Sequence, residues 1–237
     1  MQLNTQFMWE TFLAVLKGVP VTLAVVAVTL LVSVPAGFLM AVKKTGEGRI
    51  GRRIITVYVS LIRGTPVVLQ ILFLYSLLPT ALNYLIKEVM GLSYNIFNVN
   101  PIFYAYVVFI LNTTAVLAEV FRSALSTVSK GQMEAALAIG MSKPQAYVRI
   151  ILPQALVAAL PNICNATVNL LKNTSLAFMM TVRDITAIAK IEASFGYNYL
   201  EAYLVIFVVY IILCSAVQGA FHLTEQGVSA YKKPVVP

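Results

Sequence analysis

The chain has 237 residues but only one histidine, two cysteines and one tryptophan. Two cysteines cannot form a disulfide scaffold. Cys164 and Cys214 both lie in apolar stretches and read as reduced packing residues. His222 reads as a helix-end residue, and as the only histidine it leaves no Ser-His-Asp set to expect. No His/Cys grouping has metal-ligand spacing, so neither a catalytic centre nor a metal site is expected. Charge is scarce at 11% of residues, about half the usual share of a soluble domain, and this excludes a disordered chain. No G-x-x-x-x-G-K-[ST] occurs, so ATP phosphates have no cradle here. Gly46-Glu47-Gly48-Arg49-Ile50-Gly51 matches G-x-G-x-x-G, but an apolar run precedes it where a dinucleotide site needs a strand. The first charges, Glu10 and Lys17, form no basic leader, so no secretory signal is expected.

What the chain has is apolar length. Hydrophobic residues make up 59%, and mean hydropathy is +0.85. Five uncharged or nearly uncharged runs reach the ~20 residues that a membrane-spanning helix needs. They predict an all-α integral membrane protein, one domain over 1–237, with spans at about 19–42, 54–86, 101–122, 153–175 and 202–224.

The 17 basic against 9 acidic residues give a net charge of +8. In a membrane protein such an excess marks cytoplasmic loops rather than nucleic-acid binding. Twelve basic residues fall on one side: Lys43, Lys44, Arg49, Arg52, Arg53, Arg63, Arg122, Lys130, Lys143, Arg149, Lys232 and Lys233. Four fall on the other: Lys17, Lys87, Arg183 and Lys190. The asymmetry predicts the N-terminus outside and the C-terminus inside. Ahead of the first span, Met8, Phe12, Val15, Leu16 and Val19 share a helix face, with Glu10 and Lys17 opposite and Trp9 at the rim. This reads as a short helix in the outer interface, or else as an extension of the first span.

The inner loop at about 123–152 is patterned. Ser129 with Gln132, and Ser142 with Gln145, have capping-box spacing. A helix-forming run, residues 132–139, ends at Gly140, the expected stop. A second short helix then runs to Pro153, expected to break it before the fourth span. Met133, Ala136, Leu137 and Gly140 share a side, an apolar knob for a partner's groove.

At these residues the chain resembles a known family. Glu134-Ala135-Ala136, then Gly140, then Ile150-Ile151-Leu152-Pro153 match the E-A-A-x-x-x-G-x(9)-I-x-L-P loop of ATP-binding cassette importer permeases. Gly18 with Thr22-Leu23, Arg63-Gly64-Thr65-Pro66, Ala118-Glu119-Val120-Phe121-Arg122 and Lys172-Asn173-Thr174-Ser175-Leu176 resemble motifs of the polar amino acid subfamily. The resemblance covers about 10–225 and implies a multi-pass permease subunit of a bacterial cell membrane. It implies an ATPase subunit, carrying ATP and Mg, seated on Met133, Glu134, Ala135, Ala136, Leu137 and Gly140. It further implies an extracellular solute-binding protein and a second permease chain, identical or not. Nothing in it calls for a cofactor or a nucleic acid.

Polar residues inside the spans are the candidate pathway, since buried polar groups are costly in lipid. Glu119, expected as the only buried acid, either meets an amino acid's ammonium group or pairs with Arg122. Asn112 shares its helix face, and Thr113 and Thr114 lie beside Asn112. Asn162, Asn165, Asn169 and Asn173 recur at steps of three, four and four and form one polar stripe. The stripe lines a pathway or a dimer seam. Thr174, Ser175, Gln70, Ser76 and Arg63 complete the set, with Arg63 facing a substrate carboxylate or inner headgroups. Asn173 stands where the subfamily usually has Asp, which favours a neutral or zwitterionic substrate over a cationic one. Leu111-Asn112-Thr113-Thr114 is somewhat similar to cystine permeases. Tyr94 to Tyr106 reads as an interfacial aromatic belt. The competing reading is a self-sufficient channel or secondary carrier. It gives no reason for the E-A-A loop and needs coupling charges, and no inverted repeat is evident.

Overall fold

The computed structural model describes residues 3–46, 48–94 and 96–229. Among them every regular element is helical. Helix α1, Thr5–Val15, starts at Asn4, whose Oδ1 accepts from the Phe7 N–H at 3.0 Å. A 3-10 turn at Leu16–Gly18 leads into α2, Val19–Thr45, which takes Pro20 in its first turn. Next come α3, Arg49–Arg63, and α4, Val67–Tyr84, extended by a π turn to Val89. Helix α5 is Ile102–Thr127. Two short helices follow, α6, Lys130–Ala138, and α7, Lys143–Ala146. A π turn at Tyr147–Ile151 runs into α8, Leu152–Asn173, which ends as a 3-10 stretch, Thr174–Met180. Then come α9, Ile185–Gly196, and α10, Tyr199–Ser229.

Five segments are long and apolar enough to cross a membrane: Thr5–Thr45, Val67–Val89, Ile102–Thr127, Lys143–Met180 and Tyr199–Gly227. The expected second span, 54–86, is two helices. Pro66 has no N–H and disfavours helical backbone at Thr65, so the chain breaks at Gly64–Pro66. Pro153 does the reverse of what was expected. It sits in the first turn of α8, where its missing N–H costs nothing, and the chain stays helical from Lys143 to Met180. Gly48 precedes α3 in extended backbone and Gly51 lies inside it, so the G-x-G-x-x-G match meets no strand; its Glu47 lies outside the described residues, as do Lys232 and Lys233.

Helix α5 is the hub. Half of its apolar window is buried, against 17% for those of α4, α8 and α10. Val25 and Val26 of α2, Ile71 of α4, Val108 and Phe109 of α5, and Leu171 of α8 share the main core. Toward the other end of α5, Ala41, Leu117, Phe121, Ala124 and Ala159 form a second core. Helix α1 is committed to protein. Val15 is fully buried against Ile185, Ala189, Ala202 and Val205, and Met8 and Phe12 pack alongside, while Leu16 is 44% exposed. The backbone N–H of Asn4 reaches Glu201 Oε1 at 3.3 Å and ties the start of α1 to α10.

Small residues let α2 and α5 approach closely. A Cβ on Gly37 would stand 2.9 Å from Leu117 Cβ and 3.0 Å from the Ala118 nitrogen. Gly37→Ala should therefore lower the stability of the purified protein by about 1–3 kcal/mol. Gly219→Ala, where a Cβ meets nothing within 4 Å, should raise it by up to about 1 kcal/mol. Thermal melting of both variants in one detergent checks the pair; equal effects would remove the tight contact.

Candidate functional site

Four places carry the polar chemistry. The first is the α6–α7 hairpin. Ser129 caps α6 through the Gly131 N–H at 3.3 Å. The helix closes with two backbone bonds, Gly140 N–H to Leu137 O at 3.0 Å and Met141 N–H to Ala136 O at 3.1 Å. That pattern needs a left-handed residue, and Gly140 supplies it at φ +86°. Ser142 and Gln145 form a complete capping box at the start of α7. The expected knob needs correction. Ala136 is 2% exposed and turned into its own bundle, and Met133 is half-buried. Glu134 and Ala135 are exposed, and the outward apolar surface is Leu137 at 39%, Ile139 at 78% and Val148 at 60%. Ile139 went unnoticed in the sequence because the cap residue of a Schellman turn leaves the helical period.

The second place joins α2 to α5. Glu119 Oε2 lies 2.9 Å from Lys44 Nζ. Its Oε1 accepts from Arg122 Nε at 2.7 Å and also meets the other guanidinium nitrogen of Arg122. Both oxygens are occupied, so Glu119 is no free receptor for an ammonium group. Lys44 was not foreseen, since 75 residues separate it from Glu119. Nor is Glu119 the only enclosed acid: Asp184 is 1% exposed and Glu201 9%.

The third place is the break between α3 and α4. The Gln70 Nε2 donates to Ile62 O at 2.7 Å, Thr65 O at 3.0 Å and Thr65 Oγ1 at 2.9 Å. Its Oε1 accepts from Asn112 Nδ2 at 2.9 Å. One amide thus holds the broken ends to each other and to α5. Tyr58 adds a second tie, its hydroxyl on Leu111 O at 2.5 Å. Thr113 and Thr114 are sealed inside the chain, at 4% and 3% exposure, so the open polar surface is not on that side of α5.

The fourth is α8. Asn162, Asn165, Asn169 and Lys172 are exposed and Asn173 is half-buried, so the stripe has no cover within this chain. Ser175 is half-buried, whereas Thr174 is fully buried with its hydroxyl on Leu171 O at 2.6 Å. Between α8 and α10 runs a groove of about 570 Å³ lined by Cys164, Asn165, Gln218, His222 and Glu225. His222 thus lines a groove well inside α10 rather than ending the helix. Ser76 and Tyr104 belong to a smaller pocket between α4 and α5.

Asp184 was missed as a site residue, although an Asp ahead of Ile-Thr-Ala is an N-cap signature. Its Oδ1 accepts from the Ala187 N–H at 2.8 Å, and its other oxygen is shut in beside Thr186 and Tyr210. Burial pushes its pKa up to about 6 from 3.8. The folded chain therefore holds this proton after the unfolded chain has lost it. The contribution to stability falls as pH rises from 3.8 to about 6 and is level above. Asp184→Asn keeps a cap oxygen without the charge. It should raise the melting temperature at pH 7.5 clearly more than at pH 4.5. A pH-independent difference would show that the charge does not matter.

Residues 33–230 match the family model described as "Binding-protein-dependent transport system inner membrane component". The chain is 33% identical over 217 residues to the probable amino-acid permease protein YxeN of Bacillus subtilis (strain 168), covering 89% of each chain. It is 32% identical over 217 residues to the L-cystine transport system permease protein TcyL of the same organism, covering 92% of this chain and 88% of that one. Among solved structures it superposes on an amino acid ABC transporter crystallised with histidines, with a TM-score of 0.80, 26% identity, and 95% and 99% of the two chains covered.

Proposed function

Since the chain belongs to the family of binding-protein-dependent transport system inner membrane components, a family of bacterial membrane permeases, we propose that it is the permease subunit of an ATP-driven importer for a polar, zwitterionic amino acid. The observation that carries the reading is the α6–α7 hairpin. Its turn, closed at Gly140, joins α6 to the helical segment that starts at Lys143, and Glu134, Leu137, Ile139 and, in the π turn beyond α7, Val148 are exposed there. A self-sufficient channel or carrier has no use for such a surface. An ATPase subunit with a groove for a short helix does. ATP and Mg belong to that subunit, and substrate arrives with an extracellular solute-binding protein. The hairpin and the basic segment with Lys43, Lys44, Arg49, Arg52 and Arg53 face the cytoplasm; the N-terminus lies outside and the C-terminus inside.

A second permease chain, the same or a related one, covers the exposed face of α8. Three asparagines and a lysine on a bilayer-facing surface would be expensive, so the stripe faces water or protein. Asn165 and Asn169, with Asn173 and Ser175 above them, line the pathway in this arrangement. Gln70 and Asn112 brace its wall, and Glu119 with Lys44 and Arg122 clamps α2 to α5 at its edge. The similarity to a permease of L-cystine transport supports cystine as the first substrate to try.

A photoreactive group placed at Ile139 in native membranes should capture an ATPase that carries a P-loop, identified by mass spectrometry. Capture of only lipid or this chain, at equal labelling, would count for the carrier reading. Gly140→Trp should lower the melting temperature, because φ +86° strains any side chain there, whereas Ile139→Asp, on the outward surface, should abolish uptake while the melting temperature moves little. Uptake at the wild-type rate would end the coupling role.

A further inference from the structure

Helix α3 carries three faces. At roughly 100° per residue, Ile55, Tyr58, Val59 and Ile62 fall together, and they pack on Ala115 and Ala118 of α5. Ile50, Ile54, Val57 and Leu61 form a second stripe, and all four are more than half exposed. Arg49, Arg52, Arg53, Thr56, Ser60 and Arg63 form a third, and every one of them is exposed. The apolar exposed stripe suits lipid. The polar stripe does not, and it stands on another side of the helix.

Depth sharpens the point. Ile62, next to Arg63, is bonded through Gln70 to Asn112. Asn112 is the eleventh residue of the 26-residue α5, about 15 Å from one end and 22 Å from the other. Taken as a crossing of a hydrocarbon core of about 30 Å, α5 carries the α3–α4 break at its mid-height, whereas the charge count puts Arg63 at the inner edge. A guanidinium at that depth is costly against lipid. Among the described residues no carboxylate forms an ion pair with Arg63; Glu119 is taken by Lys44 and Arg122. Gln70 nonetheless holds the turn behind it with three bonds to α3 and the loop.

We propose that Arg63, presented by the Gln70-braced break, receives the carboxylate of the transported solute in mid-membrane, and that the polar stripe of α3 lines its way to the Arg49–Arg53 end. This rests on the permease reading and adds the group recognised and the route. Arg63 has the planar fork that binds a carboxylate with two parallel hydrogen bonds. Over the ~16 Å from Arg63 to Arg52, Ser60 offers a hydroxyl while Thr56 donates its own to Arg52 O at 2.8 Å, and the basic cluster at the Arg52 end draws the anionic group on. Gln70 is the positioning residue.

The test places single cysteines at Arg63, Ser60 and Leu61 in the full complex, reconstituted in vesicles, with the unaltered chain as the background for Cys164 and Cys214. A membrane-impermeant anionic methanethiosulfonate should label Arg63→Cys and Ser60→Cys and leave Leu61→Cys untouched. A mixture of the thiol-free standard L-amino acids and L-cystine should slow labelling of Ser60→Cys, where Arg63 is intact, several-fold; their thiol-free decarboxylated amines should not, and adding Arg63→Gln to the Ser60→Cys chain should abolish the protection. Arg63→Lys should keep uptake with a raised KM, and Arg63→Gln should cut it at least tenfold at an unchanged melting temperature. Residue 63 refusing the reagent, or Leu61→Cys reacting as fast, would overturn the route. Labelling slowed equally by amines, or by neither mixture, would overturn carboxylate recognition. If Arg63→Cys does not fold, Ser60→Cys and the Arg63→Gln uptake assay decide. Failure of ATPase capture at Ile139 would sink the permease reading separately, because it leaves this labelling pattern unmoved.

Discussion

The close crossing of α2 on α5 is the contact on which the rest of the chain is assembled. Glycine at 37 brings two backbones within side-chain-free distance, and dispersion at that range replaces the hydrophobic drive that lipid cannot supply. The main core lies to one side of the crossing, and the alanine-rich core reaches toward the other end of α5. Ser33 adds a hydroxyl bond to Ile110 O at 3.1 Å, and Lys44 with Glu119 closes the far end with charge. Helices α3, α4 and α8 then pack against α5, and α10 packs against α8 and α9. Because α5 is so fully used in holding the chain together, its polar residues serve as internal braces. The open polar surfaces are left to α3 and α8.

Much of the fold was legible because lipid imposes a blunt requirement. A run of 20 apolar residues has few other uses, and the five runs correspond to five helical segments long and apolar enough to cross, although the first, second and fourth begin 10 or more residues away from the expected starts. The hairpin was legible through its caps, since Ser142, Gln145 and Gly140 act locally and their geometry follows from neighbours in sequence. The split of the second span was not read, although Gly64 and Pro66 are strong punctuation. Hydropathy averages across a break, and apolar residues on both sides kept the average high. Pro153 was misread for the opposite reason: a proline's effect depends on whether its N–H had a partner to lose, and the first turn of a helix offers none.

The functional residues divide along the same line. Glu119 with Arg122 is a three-residue spacing on one helix and could be read as a pair. Its contact with Lys44 crosses 75 residues and could not. The Asn stripe was read from periodicity, and its exposure in one chain is what periodicity cannot give. Asp184 and Glu201 are buried by α1 and α9, elements whose docking depends on tertiary contacts rather than on pattern. The polar stripe of α3 was in plain view as residue types, but it becomes a face only once α3 is known to be a helix of its own.

The backbone between Lys143 and Met180 is helical throughout, but it is not uniform: a π turn spans Tyr147–Ile151, and Pro161 stands inside α8. A proline has no N–H to close its own turn, and both features are where a helix bends. The hairpin turn at Gly140 lies on one side of these bends, and Asn162, Asn165, Asn169 and Asn173 all lie on the other, along one unbroken α-helical stretch. Geometrically the four amides are therefore one body. A bend at the proline swings all of them together, as a change of angle rather than as a change of shape.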